Sequence, residues 1–469
     1  LKPLPKLTIA VVAATLLAAC ASAPLPPKVE LPAASAPTPA NIERWWTLFD
    51  DPQLTALIDE ALANNLELRL AVARIEESRA SLRLARQALS PSLDVDAGVN
   101  RSQVSNANTR QLPPPLATTT HNLGLQAAYE IDLWGRLAAG RDAAGADLLA
   151  TAYAAQTVRI ALAAQVATSA FTLRALDAEL QLTRDTLATR EASVELQQRR
   201  FDAGVASEYD LALARAERST VAAGIAPIEQ AVAQAESALA ALLGRSAKAV
   251  FTPEVSRGAK SPAEPGVAEV PAGLPSDLLA RRPDIRQAEA QLAAADARVA
   301  QARAAYYPRL SLTASLGGES RDLADLLTAP ARVWSIAGNL LQPILGLKTI
   351  EAQADAAAAR REQAVLAYQQ VVQSAFRDVH DALVAHRGAR DSLAAQDERR
   401  QRLREALRLA ELRLQAGYSS QLEVLDAQRN LLDAERARLN ALRDRQIALV
   451  SLYKALGGGW QMAELAAAR

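Results

Sequence analysis

The chain carries one pattern twice. Laid on Arg286 to Leu310, the stretch Arg69 to Leu93 brings Arg69/Arg286, Ala71/Ala288, Ala85/Ala302, Arg86/Arg303, Pro91/Pro308 and Leu93/Leu310 into gap-free register. The offset then drops from 217 (Arg69 to Arg286) to 213 (Gly204 to Gly417), where Ala203-Gly204 matches Ala416-Gly417, Ser207 matches Ser420 and Ala214 matches Ala427. The change falls between Leu93 and Tyr129, where a loop tolerates it. In an Ala-rich chain the matched Pro, Gly and Ser positions carry the comparison. Solenoid repeats recur every 20–50 residues or so. A far longer period implies a duplicated half, each half giving the same piece to a pseudo-symmetric body.

That duplication overrides the length prior. A chain of 469 residues would ordinarily suggest about three domains, whereas the repeat predicts one body in two halves. Lys plus Arg and Asp plus Glu both number 52, so no net field recruits nucleic acid. A single Cys rules out a disulfide framework and a Cys-cluster metal site. Scarce aromatics and abundant Ala favour long, closely packed helices.

The first forty residues predict export. Lys2 and Lys6 precede an apolar run from Leu7 to Leu17, closed by Leu17-Ala18-Ala19-Cys20. The run is too short to span a bilayer as a helix, which fits a signal peptide over 1–19. Because the first residue is Leu, the translated start is expected to be missing or altered. Small residues before Cys20 match the bacterial lipobox, with Cys20 as a lipidated first residue; Ala21 in place of Asp after it directs such a lipoprotein to the outer membrane. Several acyl groups on one Cys anchor firmly where one does not. Residues 20–40, rich in Pro, Ala and Ser, predict a tether. No cofactor is expected beyond this covalent lipid.

The body alternates long helices with strand pairs. Leu54 to Leu89 and Ile285 to Ala305 have helical composition; Pro283 suits a first helical turn and Asp284 complements the dipole. Pro91 and Pro308 end these helices. Period-two alternation follows: Leu93, Val95, Ala97 and Val99 share a face, then Leu123, Leu125, Ala127, Tyr129 and Ile131, and in the second copy Leu310, Leu312, Ala314 and Leu316, then Trp334, Ile336, Gly338 and Leu340. Strands are expected at about 93–103, 121–133, 310–318 and 332–342, within a first repeat 41–245 and a second 276–469 that ends in an equatorial tail. The Pro/Gly/Ser-rich stretch 246–275 predicts a crossover or equatorial segment.

Strands of about ten residues with one apolar face suit a tilted membrane wall. Four cannot close, since single-chain barrels start at about eight strands, and an open edge in lipid leaves N–H and C=O groups without partners. The wall must be shared between copies; two would supply eight strands and three twelve. Leu137 to Arg200 and Thr349 to Leu414 then read as uninterrupted helices of about 95 Å. Leu403, Leu407, Ala410 and Leu414 form one stripe, and Leu425, Leu432 and Leu439, then Leu442, Leu449 and Leu456, recur at the coiled-coil interval of seven. Gly204 and Gly417 are placed to stop the long helices. Ser420 with Glu423 predicts a capping box for the returning helix, and Ser207 with Asp210 a weaker one. Trp45, Trp46 and Phe49 are expected to dock the N-terminal segment by packing.

Five segments together resemble the TolC-like outer-membrane efflux factors, in the lipoprotein (OprM-like) branch. They are Trp45 to Leu54 (WWTLFDDPQL), Tyr129 to Leu137 (YEIDLWGRL), Arg281 to Leu292 (RRPDIRQAEAQL), Tyr307 to Leu312 (YPRLSL) and Gly417 to Arg429 (GYSSQLEVLDAQR). The resemblance covers essentially everything after Cys20. It implies a mainly α chain with a membrane β-barrel: a homotrimer sharing a twelve-stranded barrel in outer-membrane lipid and a periplasmic α-helical barrel. It also implies a passive exit duct for small toxic compounds, joined by a periplasmic adaptor to an inner-membrane pump. By position, Asp426 matches an acidic ring at the periplasmic constriction, Leu422 an apolar ring one turn earlier, and Glu423 a further acidic position. Three carboxylates around a narrow axis repel one another and attract cations. Leu213 occupies the matching place in the first half, so the ring comes from one half. The turns at Gly204, Val205, Ser207 and Gly417, Tyr418, Ser420 would be the adaptor-docking tips.

Two other ductless or differently loaded readings stay open on residues alone: a non-porous coiled-coil lipoprotein, and an exit duct for secreted proteins. An enzyme has no motif to stand on. His121, His380 and His386 lack ligand spacing, and neither a phosphate loop nor Gly-x-Ser-x-Gly occurs.

Overall fold

A computed structural model describes residues 42–103, 117–251, 255 and 281–458. Cys20, the segments 1–19 and 20–40, most of 246–275 and the tail beyond Gly458 lie outside the described residues. A 3-10 segment, Ile42–Phe49, opens the described chain, followed by α1 (Pro52–Asn64), α2 (Leu66–Gln87), β1 (Ser92–Gln103), β2 (Ala117–Ile131), α3 (Arg136–Asp202), α4 (Glu208–Ala223), α5 (Ile225–Leu242) and α6 (Ala247–Phe251). The second half supplies α7 (Pro283–Ala304), β3 (Arg309–Ser320), β4 (Arg332–Leu341), α8 (Leu347–Gln415) and α9 (Gln421–Ala455). Two compact units result, and each draws on both halves.

One unit holds Arg79–Leu148 and Ala288–Gln369 and contains all four strands. They form one antiparallel sheet in the order β1-β2-β3-β4. The duplicated hairpins meet through β2 and β3, with Ile131 opposite Leu310 and His121 opposite Ser320. β2 begins earlier than the alternation predicts, because Ala117 to Thr120 still pair with β1. The segment YEIDLWGRL makes the turn from strand to helix. Gly135 takes a left-handed φ of 72°, Asp132 Oδ2 accepts from the Ala138 amide at 2.8 Å at the start of α3, and Arg136 grips Glu130 at 2.8 Å. Trp134 stacks on Tyr307 with ring centroids 4.7 Å apart, and its Nε1 donates to the Pro308 carbonyl at 2.9 Å.

The other unit holds residues 31–78, 149–287 and 370–469. Small residues bury themselves along its helices: Ala163, Ala167 and Ala170 of α3 and Ala375 of α8 are nearly solvent-free, so helices approach closely. Trp45, Trp46 and Phe49 are fully buried. Trp45 stacks on Tyr453 of α9 at 5.9 Å, and Phe49 packs at a tilt against Phe171 of α3 with centroids 5.1 Å apart. Arg282, preceding α7, is buried and reaches four partners: Asp284 at 2.7 Å, Asp378 at 3.1 Å, and the carbonyls of Ala455 at 2.9 Å and Ala375 at 3.4 Å. Burial alone would lower this guanidinium; the bonds and charges of Asp284 and Asp378 outweigh it and hold it above its ordinary value.

Two expectations need correction. The pattern predicts one helix from Leu54 to Leu89, yet the chain breaks at Asn65, whose ψ of 130° is extended. Its Oδ1 accepts from the amides of Glu67 and Leu68 at 2.9 and 3.1 Å, capping α2, while its Nδ2 donates to the Leu242 carbonyl at 2.9 Å. A buried Asn offering the backbone an alternative partner stops a helix that composition favours. The returning helices also differ: α9 runs unbroken, whereas its counterpart divides at Gly224 into α4 and α5. Pro227, lacking an N–H, stands near the start of α5 where the second half has Asn440.

Asp51 ties the N-terminal segment to α3. It caps α1 by accepting from the Leu54 amide at 2.9 Å and pairs with Arg174, both side chains nearly buried. Burial would raise this carboxyl; the Arg174 hydrogen bond and charge and the amides of Leu54 and Gln53 outweigh it and lower it below its ordinary value. A lowered folded value means stability that is present above the unfolded value and lost as pH falls through the folded one. Asp51→Asn is therefore expected to destabilise the chain at pH 7 and to flatten the acid limb of its unfolding curve below about pH 4; denaturant titration across pH checks both, and an unchanged limb would contradict the linkage.

Candidate channel wall and helix tips

In the strand-bearing unit the ladder sorts side chains by face. Opposite residues share a face, so Leu93, Val95, Ala97 and Val99 of β1 align with Leu123, Leu125, Ala127 and Tyr129 of β2, Leu312, Ala314 and Leu316 of β3, and Trp334, Ile336 and Leu340 of β4. The reverse face carries Asp94, Asp96, Asn122, Gln126, Glu130, Thr313, Ser315, Glu319, Ser335 and Asn339. Among the described residues the apolar face is left largely uncovered: Val95 is 72% exposed and Ile336 76%. β1 and β4 have one paired neighbour each. A sheet apolar on one side, polar on the other and open at both edges is a wall segment.

In the helical unit the two reversals have matching geometry. Gly204 and Gly417 have φ of 74° and 76°, in the left-handed region. The Val205 amide donates to the Arg200 carbonyl and the Tyr418 amide to the Arg413 carbonyl, each at 2.9 Å, the six-to-one bond of a Schellman ending. Val205 and Tyr418 are exposed. The caps reverse the expected order of quality. Ser207 and Asp210 form the complete capping box. Ser420 accepts from the Glu423 amide at 3.4 Å, but the Glu423 carboxylate turns to the Ser419 hydroxyl at 2.8 Å. Ser419 offers the longer Glu side chain a nearer donor than the cap amide.

Leu422, Glu423 and Asp426 lie together on the exposed side of α9, with Val424 and Leu425 buried behind them. Asp426 is held by Arg429 on its own helix at 2.6 Å, and Arg429 faces Glu217 of α4 at 3.6 Å. Beside them Arg190 of α3, almost wholly buried, donates to Gln428. Burial lowers the Arg190 guanidinium, Glu217 partly restores it, and Arg429 lowers it further. Sequence reading missed this cluster, because Arg190, Glu217 and Arg429 look like solvated helix residues until the fold brings three helices together. Among the described residues no group of three or more His, Cys, Asp or Glu is placed to hold a metal, and no helix is long and apolar enough to cross a membrane.

Wall and paired tips define a membrane channel protein of the β-barrel kind. The family model described as "Outer membrane efflux protein" matches residues 57–245 and 274–458. The solvent efflux pump outer membrane protein SrpC of Pseudomonas putida is 39% identical over 423 residues, 89% of this chain and 87% of that protein. The cation efflux system protein CusC of Escherichia coli O6:H1 is 34% identical over 418 residues, 89% of this chain and 88% of that one. The Campylobacter jejuni CmeC outer membrane channel superposes with a TM-score of 0.85 at 26% identity, over 94% of this chain and 96% of that one. The chain belongs to the outer membrane efflux protein family. It is an outer-membrane efflux channel, with the mainly helical, duplicated fold and membrane strands that the resemblance implies.

Glu217→Gln preserves shape but removes the carboxylate that faces Arg190 and Arg429. Arg429 is half-exposed and keeps Asp426, so the loss falls on buried Arg190 and is expected to cost about 2 kcal/mol in unfolding free energy; a loss under about 0.5 kcal/mol in denaturant titration would show that the cluster is solvated.

Proposed function

We propose that three copies of this chain build one passive duct, the outer-membrane exit of a tripartite efflux system fed by an inner-membrane pump through a periplasmic adaptor. The observation that carries it is the open four-stranded sheet. Backbone groups at the free edges of β1 and β4 need partners in lipid, and three copies close a wall of twelve strands. The apolar face meets lipid and the polar face lines the lumen. The paired tips at Gly204 to Ser207 and Gly417 to Ser420 receive the adaptor. Leu422, Glu423 and Asp426 narrow the periplasmic mouth, and Arg429 fixes the Asp426 carboxylate so that three carboxylates can approach. The chain needs no catalytic group for this role. Lipid on Cys20 adds a second anchor to the barrel.

Relatives named for solvent and cation efflux favour small solutes over secreted proteins as cargo. A non-porous spacer would have no use for the strands, and planar-bilayer recordings separate the two, since a spacer conducts nothing. Asp426→Ala is expected to raise single-channel conductance and to sensitise cells to large antibiotics; unchanged permeability would remove the gate assignment. Cys20→Ser is expected to abolish lipidation, read by intact mass, while trimers persist, because the shared barrel provides its own anchorage; monomers in that variant would contradict it.

A further inference from the structure

The apolar face of the sheet ends in guanidinium groups. At the hairpin end of the strands, away from the helices of the same unit, that face continues into Arg101 on β1, His121 on β2 and Arg332 on β4. Every Asp and Glu of the four strands falls on the other face: Asp94, Asp96, Glu130 and Glu319, together with Arg309. Arg101 and Arg332 are exposed, and neither guanidinium is ion-paired among the described residues. His121 Nδ1 is buried without a hydrogen-bond partner among those residues. The β3–β4 connection carries Arg321, Asp322 and Asp325 past the strand ends.

These positions also share a height. β4 begins at Arg332, opposite Gly318 and hence level with Leu123, whereas β1 runs on to Gln103, level with Ala117. Arg332, His121 and Arg101 step across the sheet in the same sense as the strand ends. That stagger is what tilting the strands of a closed wall produces, so the three follow a ring and not a diagonal. The apolar stretch from Leu93 to Val99 rises about 20 Å, which sets the ring at headgroup level. An Arg on the lipid face is costly at mid-depth and costs little at the interface. Trp334, 74% exposed and two residues from Arg332, suits the same boundary. At the opposite end the same face carries Leu93, Ile131, Leu310 and Leu340 and no basic residue, so the cations of this face mark one leaflet.

We propose that Arg101 and Arg332, with His121 between them, bind the phosphate groups of an anionic glycolipid in the leaflet facing away from the helices. The inference rests on the shared-wall reading. In that wall β4 adjoins β1 of the next copy, which brings Arg332 beside the strand that carries Arg101 there. The guanidinium fork matches phosphate oxygens in pairs, and each basic residue near a membrane surface contributes enough to matter several-fold.

The test uses the full chain purified in detergent, with native mass spectrometry reading bound lipid and planar bilayers reading conductance. The probes are an acylated disaccharide bisphosphate, its dephosphorylated form, phosphatidylglycerol and inorganic phosphate. The bisphosphate is expected to bind wild type on the order of tenfold more tightly than the doubly substituted R101Q/R332Q chain, and R101K/R332K to lie between them. Conductance should be equal in all three. Equal binding by the Gln variant, equal binding of the dephosphorylated lipid, tighter binding of phosphatidylglycerol, or displacement by millimolar inorganic phosphate would each overturn the proposal. So would an equal loss in the Gln and Lys variants accompanied by lost conductance, which would trace the effect to folding. A wild type that fails to conduct would sink the wall reading and the inference with it, whereas normal conductance with unchanged lipid binding would sink the inference alone.

Discussion

Everything in this chain answers to two rows of unpaired peptide groups. Water satisfies the free edge of a sheet at little cost, but hydrocarbon does not, and each orphaned N–H or C=O there is worth several kcal/mol. β1 and β4 present such edges at either side of a single sheet. A chain that made eight strands could close on itself; this one spends its length on helices of 67 and 69 residues instead. Duplication follows from the same geometry. Two helix–strand–strand–helix halves joined through β2 and β3 give an antiparallel wall of alternating strands with no crossover connection to bury.

The helical unit solves a different problem. Its Ala-rich helices gain little from bulky interlocking side chains, so specificity comes from polar stitching at chosen heights. Arg282 gathers the start of α7, a turn of α8 and the end of α9 onto one guanidinium. Arg218 meets Glu191 at 2.8 Å and Arg404 meets Glu435 at 3.2 Å, each across a helix pair. Exposed pairs of this kind contribute little stability singly, yet like charges in a slipped register would repel, so the set opposes sliding of one helix along another.

Much of the architecture was legible because it is periodic. Two-residue alternation marks the strands, and heptads and Pro-free stretches mark the long helices. Gly204 and Gly417 could be read as stops because a left-handed residue is chemically distinctive. What escaped depends on contacts far apart in sequence. Asn65 reads as an ordinary helix residue until Leu242 lies against it, and Arg190 as a solvated cation until Gln428 and Glu217 arrive. The caps were ranked wrongly because the pattern of Ser and Glu ignores Ser419, which competes for the same carboxylate. The segments YEIDLWGRL and RRPDI were recognisable as motifs, but their physical content, a strand-to-helix corner and a three-helix clamp, appears only in three dimensions.

The stacking of Trp45 on Tyr453 sets an order of events. The indole leaves the ribosome well before its partner ring, so although Phe49 can already meet Phe171 of α3, the Trp45 face is covered only once α9 has formed. This contact therefore joins the first and last described elements of the helical unit and closes it only when both are present.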